Sequence, residues 1–280
     1  MSGFETIILI CSLYFMAKCT AKWYLSPEGI RKLRQDKTAV FIFPSLFIFA
    51  ALIILYTLRN LASFDVVDNF IYILFYLSLG LAWGSLGLIL IFWFFDLSWI
   101  DDVLNNNNKA ALSAISGAFI GSVLIYSGAN IGDGPGWWCV IFAGGLGLAA
   151  WILLGVLIGK ITQVFERITV DRDINCGIRM GFYFLASGII LGRASAGDWT
   201  SFSMTILEFS AGWPVLILAL LTIVIERYYM KIYGNPEDGY NNHLVSSVFL
   251  GVLYIILAVL SVVIYPLPEN PAYGSIPKLF

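Results

Sequence analysis

Residues 109–128 read KAALSAISGAFIGSVLIYSG and carry no charged side chain after Lys109. At about 1.5 Å per residue, a helix of this length reaches about 30 Å, which is the thickness of the hydrocarbon core of a bilayer. Glycine, alanine and serine recur in it at three- and four-residue spacing, so one face of the helix is small enough for close contact with another helix. The stretch predicts a membrane-spanning helix with a packed face.

Similar apolar stretches occur along the whole chain. Of its 280 residues, 59% are hydrophobic and 12% are charged, against about 25% charged in soluble domains. The apolar runs are continuous, which excludes the alternating strands of a membrane barrel. The sequence therefore predicts an all-α polytopic transmembrane helix bundle of about eight spans, in a single integral membrane domain. The predicted spans are residues 4–21, 39–58, 69–95, 109–128, 136–160, 174–193, 202–226 and 243–265.

Basic residues set the predicted orientation of these spans, because Lys and Arg are enriched in cytoplasmic loops. With the N-terminus outside, thirteen of the sixteen Lys and Arg residues fall on the inner side, and only Arg59, Arg193 and Lys278 fall outside. Both termini are therefore predicted to be non-cytoplasmic. No basic stretch precedes the first span and no small-residue cleavage site follows it, so residues 4–21 are interpreted as a retained span or signal anchor.

Three polar junctions that precede apolar spans look alike. Residues 107–113 align with residues 241–247, and residues 171–177 fall in the same place before the sixth span, with Gly181 over Gly117. The repeated unit is an inward-starting helix, a tight outer turn and a returning helix, and two spans per unit make the copies parallel. The predicted units are residues 36–105, 107–166 and 171–230, then a permuted fourth unit of residues 241–265 plus 4–21, followed by an extended tail, 266–280. We therefore expect the first span to pack beside the eighth.

The repeated unit resembles the bacterial membrane family catalogued as domain of unknown function 350. The resemblance is carried by residues Asn108 to Gly128 and Asp171 to Gly192, and by the following turns through Trp138 and Trp199. It implies a bacterial inner-membrane protein built from tandem repeats. It brings no reaction, cofactor or catalytic residue to this chain.

Glycines four residues apart predict where helices approach closely. Five such pairs occur, two of them on the sixth span, and they favour a tightly packed central group made of the fourth, fifth and sixth spans. The paired glycines are Gly80 and Gly84, Gly117 and Gly121, Gly155 and Gly159, Gly177 and Gly181, and Gly188 and Gly192.

Glu208 is the first candidate for function, because charge inside an apolar span is costly and usually serves a purpose. It lies about two turns into the seventh span, shortly before Pro214, which is expected to kink the helix. Arg193, at the outer end of the sixth span, is its predicted partner. The pair is either a proton or cation site or a structural ion pair, unless Glu208 reaches the membrane surface.

Two further polar residues lie near the inner end of the sixth span. Arg179 is expected to pair with Glu166, Asp171 or Glu226, or to extend to the lipid headgroups. Asn175 is expected to bond across helices or to cap the span.

The remaining residues exclude several classes of function. A net charge of −2 argues against nucleic-acid binding. The four cysteines lack paired spacing and there is one histidine, so we expect no disulfide framework, metal site or haem, and no cofactor. No nucleophile with an adjacent base is evident, so we expect no enzymatic activity.

Two functions remain in competition. The first is a non-catalytic structural or accessory subunit that contacts the bilayer and other membrane subunits, or copies of itself. The alternative is a channel or transporter for an ion or small solute, with a path near the repeat axis. A hydrated cavity reaching Glu208 would favour transport, and a dry bundle centre would oppose it.

Overall fold

The structure is a computed structural model that describes residues 1–24, 37–233 and 243–265. The predicted tail, 266–280, and the junction residues 241–242 lie outside the described residues. Within the described ranges the chain forms helices joined by short turns, and it contains no β-strand. The predicted all-α bundle is therefore confirmed.

The helices follow the apolar pattern closely. Between α4 and α5 lies a short π-helix, Trp99–Asn105. The α-helices are α1 Gly3–Tyr24, α2 Lys37–Asn60, α3 Phe64–Val67, α4 Phe70–Phe95, α5 Lys109–Ala129, α6 Trp137–Thr162, α7 Val164–Thr169, α8 Ile174–Ala194, α9 Phe202–Phe209, α10 Pro214–Tyr233 and α11 Leu244–Ile264.

Six of the described helices are long and apolar enough to cross a membrane, or seven if one bent pair counts as a single span. The predicted second span, 39–58, lies within α2, whose apolar part Pro44–Asn60 is shorter than the other spans. The predicted span 202–226 is divided into two helices, α9 and α10, which are bent by 40° relative to each other. The bend falls at Ser210–Gly212 and Pro214, where proline cannot donate a backbone hydrogen bond.

A parallel pair of helices, α5 and α8, forms the centre of the bundle. A Cβ built on Gly117 would overlap the backbone carbonyl of Gly181, and one on Gly128 would overlap that of Gly192. Near the other end of the pair, Gly177 lies equally close to the backbone of Ala110. The two backbones therefore touch along their whole length, which only glycine allows.

Both central helices begin in the same way. Asn108 accepts hydrogen bonds from the first-turn N–H groups of α5, and Asp173 does the same for α8. The residues just before these caps, Asn107 and Arg172, have positive φ angles of 53° and 55°. A duplicated unit would produce this similarity between the starts of α5 and α8, although the repeat itself remains a prediction.

The other helices surround this pair. α2 and α4 pack on α5, α6 packs against both α5 and α8, and α10 and α11 pack on α8. The predicted packing of the first span beside the eighth is not found among the described residues, because α1 packs along α4 and α11 along α8. The permuted fourth unit stays a prediction, without close packing between α1 and α11 to support it.

The remaining paired glycines contact side chains. On α4, Gly80 faces Tyr126 and Gly84 faces Phe119, while on α6 Gly155 faces Phe95 and Gly159 faces Phe165. Of the predicted central group, α5, α6 and α8, the pair α5 and α8 is in backbone contact, and α6 packs against both. Gly121, Gly188 and Gly192 lie within the α5–α8 contact.

Candidate functional site

Arg179 lies at the centre of a buried polar cluster near the N-terminal end of α8, the end that is predicted to be inner. Its side chain is completely buried, and its Nε and Nη2 donate to the two carboxylate oxygens of Glu226 at 2.5 and 2.8 Å. Its Nη1 donates to the hydroxyl of Ser247 at 2.7 Å, and the guanidinium lies 4.1 Å from the ring centre of Tyr229. Of the partners predicted for Arg179, Glu226 on α10 is the one it binds.

Arg167, on α7, links this pair to the start of α8. Its Nη1 donates to Glu226 at 3.0 Å and its Nη2 donates to Asp173 at 2.7 Å. Burial lowers the pKa of the Arg167 guanidinium, but the acidic neighbours Glu226 and Asp173 outweigh that effect and raise it. We call Arg167, Asp173, Arg179 and Glu226 the buried ion network.

The buried ion network is electrically balanced, with two guanidinium groups against two carboxylates. Asp173 also accepts the N–H groups of Asn175 and Cys176, so its two oxygens serve both the helix cap and Arg167. The network ties α7, α8, α10 and α11 together, and its described polar atoms point at one another. Buried charges are stable only when they are paired. This arrangement therefore suits a structural role, in which the ion pairs hold the helices together.

Asn175 does not cap α8, which was one of its two predicted roles. The cap of α8 is Asp173, and the side-chain oxygen of Asn175 is buried without a hydrogen-bond partner among the described residues. The position just before the helix, not the first residue of the helix, provides the cap geometry.

Glu208 and Arg193 are close enough for their charges to interact. Arg193 donates from Nε to the backbone carbonyl of Tyr265 at 2.7 Å, at the end of α11. Glu208 lies on α9, which has no buried residue, and its side chain is exposed. The Glu208 carboxylate therefore lies on the surface of the bundle and not among its packed helices.

Two turns, residues 130–136 and 195–199, bind each other, and we call them the outer turns after their predicted side of the membrane. The N–H of Asp133 donates to the carboxylate of Asp198 at 2.7 Å, and the N–H of Trp199 donates to the carbonyl of Asp133 at 2.7 Å. Gly132 and Gly197 have φ angles of 117° and 154°, a region that favours glycine. The sequence showed that both turns contain Gly-Asp before Trp, but not that the turns would meet.

A cavity of about 230 Å³ lies beneath these turns. We call it the outer cavity. It is walled by α1, α3, α4, α6, the two outer turns and α9, and its carboxylates are Glu5, Asp65, Asp133 and Glu208. Only Glu208 of these was singled out from sequence, because the other three lie in short polar segments that look like ordinary turns and helix ends.

The fold and its buried polar joint define a polytopic helical membrane protein. Residues 64–194, from the start of α3 to the end of α8, match the family model described as Domain of Unknown Function (DUF350). This match agrees with the resemblance that the repeated junctions indicated, and it covers the segment that contains the α5–α8 pair. Neither the curated proteins nor the solved structures searched gave a match.

Proposed function

We propose that this protein is a non-catalytic, multi-pass structural or accessory subunit of a membrane assembly. The main support is the closed centre of the bundle, where Gly117 and Gly128 of α5 lie directly on the backbone of α8. A path along this axis would require the two helices to separate. The buried ion network supports the same role, because its charged groups join helices to one another.

The outer helices provide the surface on which partners would bind. In α11, the buried residues Ser247, Gly251, Tyr254 and Ala258 form one stripe towards the bundle. The other side is apolar and exposed, with Val245 and Phe249 at 81% and 68% exposure. Lipid, other membrane subunits or a second copy of the chain would cover this side. We place the protein in the bacterial inner membrane with both termini outside the cytoplasm.

Photo-crosslinking tests the subunit role. A photoreactive residue in place of Phe249 is expected to capture a membrane protein, or a second copy, at a stoichiometry visible after mild-detergent purification and mass spectrometry. The matched control is the same residue in place of Tyr254, whose side chain is completely buried on the other side of α11. A monodisperse monomer without companions, and with equal crosslinking at both positions, would contradict the proposal.

Transport is the second candidate, and the outer cavity is the observation that favours it. The cavity reaches Glu208, but every residue lining it lies near the outer end of the bundle. A transport path would therefore start there and pass beside the α5–α8 pair, not through it. Solute uptake by liposomes containing the purified monomer would favour transport over the subunit role.

A further inference from the structure

The long helices form two layers that run side by side across the bundle. In the first layer, α2 packs on α5, α5 packs on α8, and α8 packs on α11. In the second layer, α1 packs on α4, α4 packs on α6, and α6 packs on α10. Each of α4, α6 and α10 returns the chain after a helix of the first layer, and it packs on that helix. The bundle is therefore a row of three helical pairs, α2 with α4, α5 with α6 and α8 with α10.

Neighbouring pairs in this row contact each other in the same way. The returning helix of one pair packs on the first helix of the next: α4 packs on α5, α6 on α8 and α10 on α11. The helix α1 has the same relation to α2, because the rings of Trp23 and Phe47 lie 6.4 Å apart, centre to centre. The contacts therefore place α1 in the position of a returning helix, and α11 in the position of a first helix.

The two ends of the row are complementary. At one end, no returning helix of its own packs on α11 among the described residues, and at the other end α1 has no first helix of its own. These are also the least buried of the six helices of membrane length. Buried residues make up 11% of the apolar span of α1 and 22% of that of α11, against 72% in α5 and α8. Each end of the row thus presents half of a helical pair.

The exposed faces at these ends point along the row and are apolar. In α11, Phe249 and Ile256 are 68% and 49% exposed, and they lie on the side opposite the buried stripe. In α2, Leu52 and Tyr56 are 58% and 53% exposed, on the side opposite the buried Ile54. Another helix can pack on either face without burying an unpaired charge, which is what association within a bilayer requires.

We propose that copies of this chain join head to tail, with α11 of one copy packed on α1 and α2 of the next. In this contact α11 receives α1 as its returning helix, and α2 follows α11 in the first layer as α8 follows α5. A second copy is the occupant because it continues both layers in the order found within one chain, whereas lipid would leave both half pairs incomplete. The inference rests on the proposed subunit role, to which it adds the partner and the surface.

A contact of this kind is heterologous, because two different surfaces of the chain meet. It repeats into a closed ring or an open row of copies. The helices of the first layer would all cross the bilayer in one direction and those of the second layer in the other. Every copy therefore keeps the same orientation in the bilayer.

Disulfide crosslinking between two differently tagged copies tests this contact in membranes. In a background without the native cysteines, Ile256→Cys on α11 is co-expressed with Leu52→Cys on α2 and oxidised with copper phenanthroline. The two positions lie near the middle of their apolar segments, and hence at similar depth. A second pair, Leu220→Cys on α10 with Tyr14→Cys on α1, tests the other layer. For both pairs we expect a shift from the 31.1 kDa monomer to a dimer that carries both tags.

Two controls make the crosslink specific. Each variant expressed alone should remain monomeric, because a head-to-tail contact does not bring the same position of two copies together. The matched control is Leu153→Cys co-expressed with Leu52→Cys. Leu153 is 69% exposed, but it lies on α6 in the middle of the row and away from both ends. This combination should also remain monomeric.

Three outcomes would overturn the proposal. The first is no dimer with either pair, and the second is a dimer that forms equally well with Leu153→Cys. The third is a dimer of Ile256→Cys with itself, which would show a symmetric contact instead. In each case the photo-crosslink from Phe249 decides the subunit role separately. Capture of a different membrane protein there would keep that role, with a partner other than a second copy at α11.

Discussion

A Glu226→Gln variant is expected to lose about 3–5 kcal/mol of unfolding free energy, the usual cost of breaking a buried ion pair from one side. Arg179 is completely buried and would keep its charge without the carboxylate that accepts two of its donors. Arg167 would lose one of its two carboxylate partners at the same time. The measurement is equilibrium unfolding in mixed micelles with increasing fractions of SDS.

Two further variants make this result specific. Glu166→Gln removes an exposed carboxylate from α7 and is expected to change the unfolding free energy by less than about 1 kcal/mol. A double variant, Arg179→Met with Glu226→Met, should recover most of the loss, because apolar residues of similar volume replace a buried pair at little cost. Equal stability of Glu226→Gln and Glu166→Gln would show that the network is not a structural joint.

Gly117→Ala is expected to prevent the central helices from packing. The added methyl group would overlap the backbone carbonyl of Gly181, and a backbone cannot move aside as a flexible side chain can. The cost should exceed the 1–3 kcal/mol typical of overpacked side chains, although alanine itself favours a helix by about 1 kcal/mol. Size-exclusion chromatography and thermal unfolding of the purified variant measure the effect.

Gly145→Ala is the matched control for that experiment. Gly145 lies in α6, and a Cβ built on it meets no atom within 4 Å. This variant should elute like the parent chain and unfold at the same temperature or slightly above it. If Gly117→Ala also behaves like the parent chain, α5 and α8 do not touch as described.

The fold class could be predicted from the sequence because each membrane helix is determined by the composition of its own segment. Trp137–Thr162 forms a helix where the sequence predicted 136–160, since a continuous apolar segment in lipid must satisfy its own backbone hydrogen bonds. Pro214 was correctly expected to disturb the seventh span, but the full break at Ser210–Gly212 was not predicted. The sequence predicted less well which helices pack together, because lipid-facing and helix-facing apolar surfaces have similar compositions.

The predicted repeat identified residues with similar roles in different helices, but it did not predict how the helices pack. Each of the first three predicted units has a tryptophan in its returning helix: Trp83, Trp151 and Trp213. Trp83 and Trp151 each donate from the indole N–H to a backbone carbonyl of α5 or α8. Trp213, next to the bend between α9 and α10, is instead 47% exposed.

The buried ion network could be predicted only in part. Arg179 was recognised as an intramembrane charge, and Glu226 was one of three acids within reach of its end of the span. The role of Arg167 and Asp173 was missed, because the network joins side chains from α7, α8 and α10 whose separation in sequence reveals nothing about distance. The pairing of Glu208 with Arg193 stays a prediction: their charges interact, and Arg193 also donates to the carbonyl of Tyr265.

Accessibility of engineered cysteines tests most directly the central claim, that α5 and α8 are parallel membrane-spanning helices. In a background without the native cysteines, Gly134→Cys and Thr200→Cys report on the outer turns, and Asn106→Cys and Asp171→Cys report on the inner junctions; all four positions are exposed. In intact cells, a membrane-impermeant maleimide is expected to label the first two, and the second two only after permeabilisation. Labelling of all four in intact cells, or of the two outer turns from opposite sides, would contradict the account.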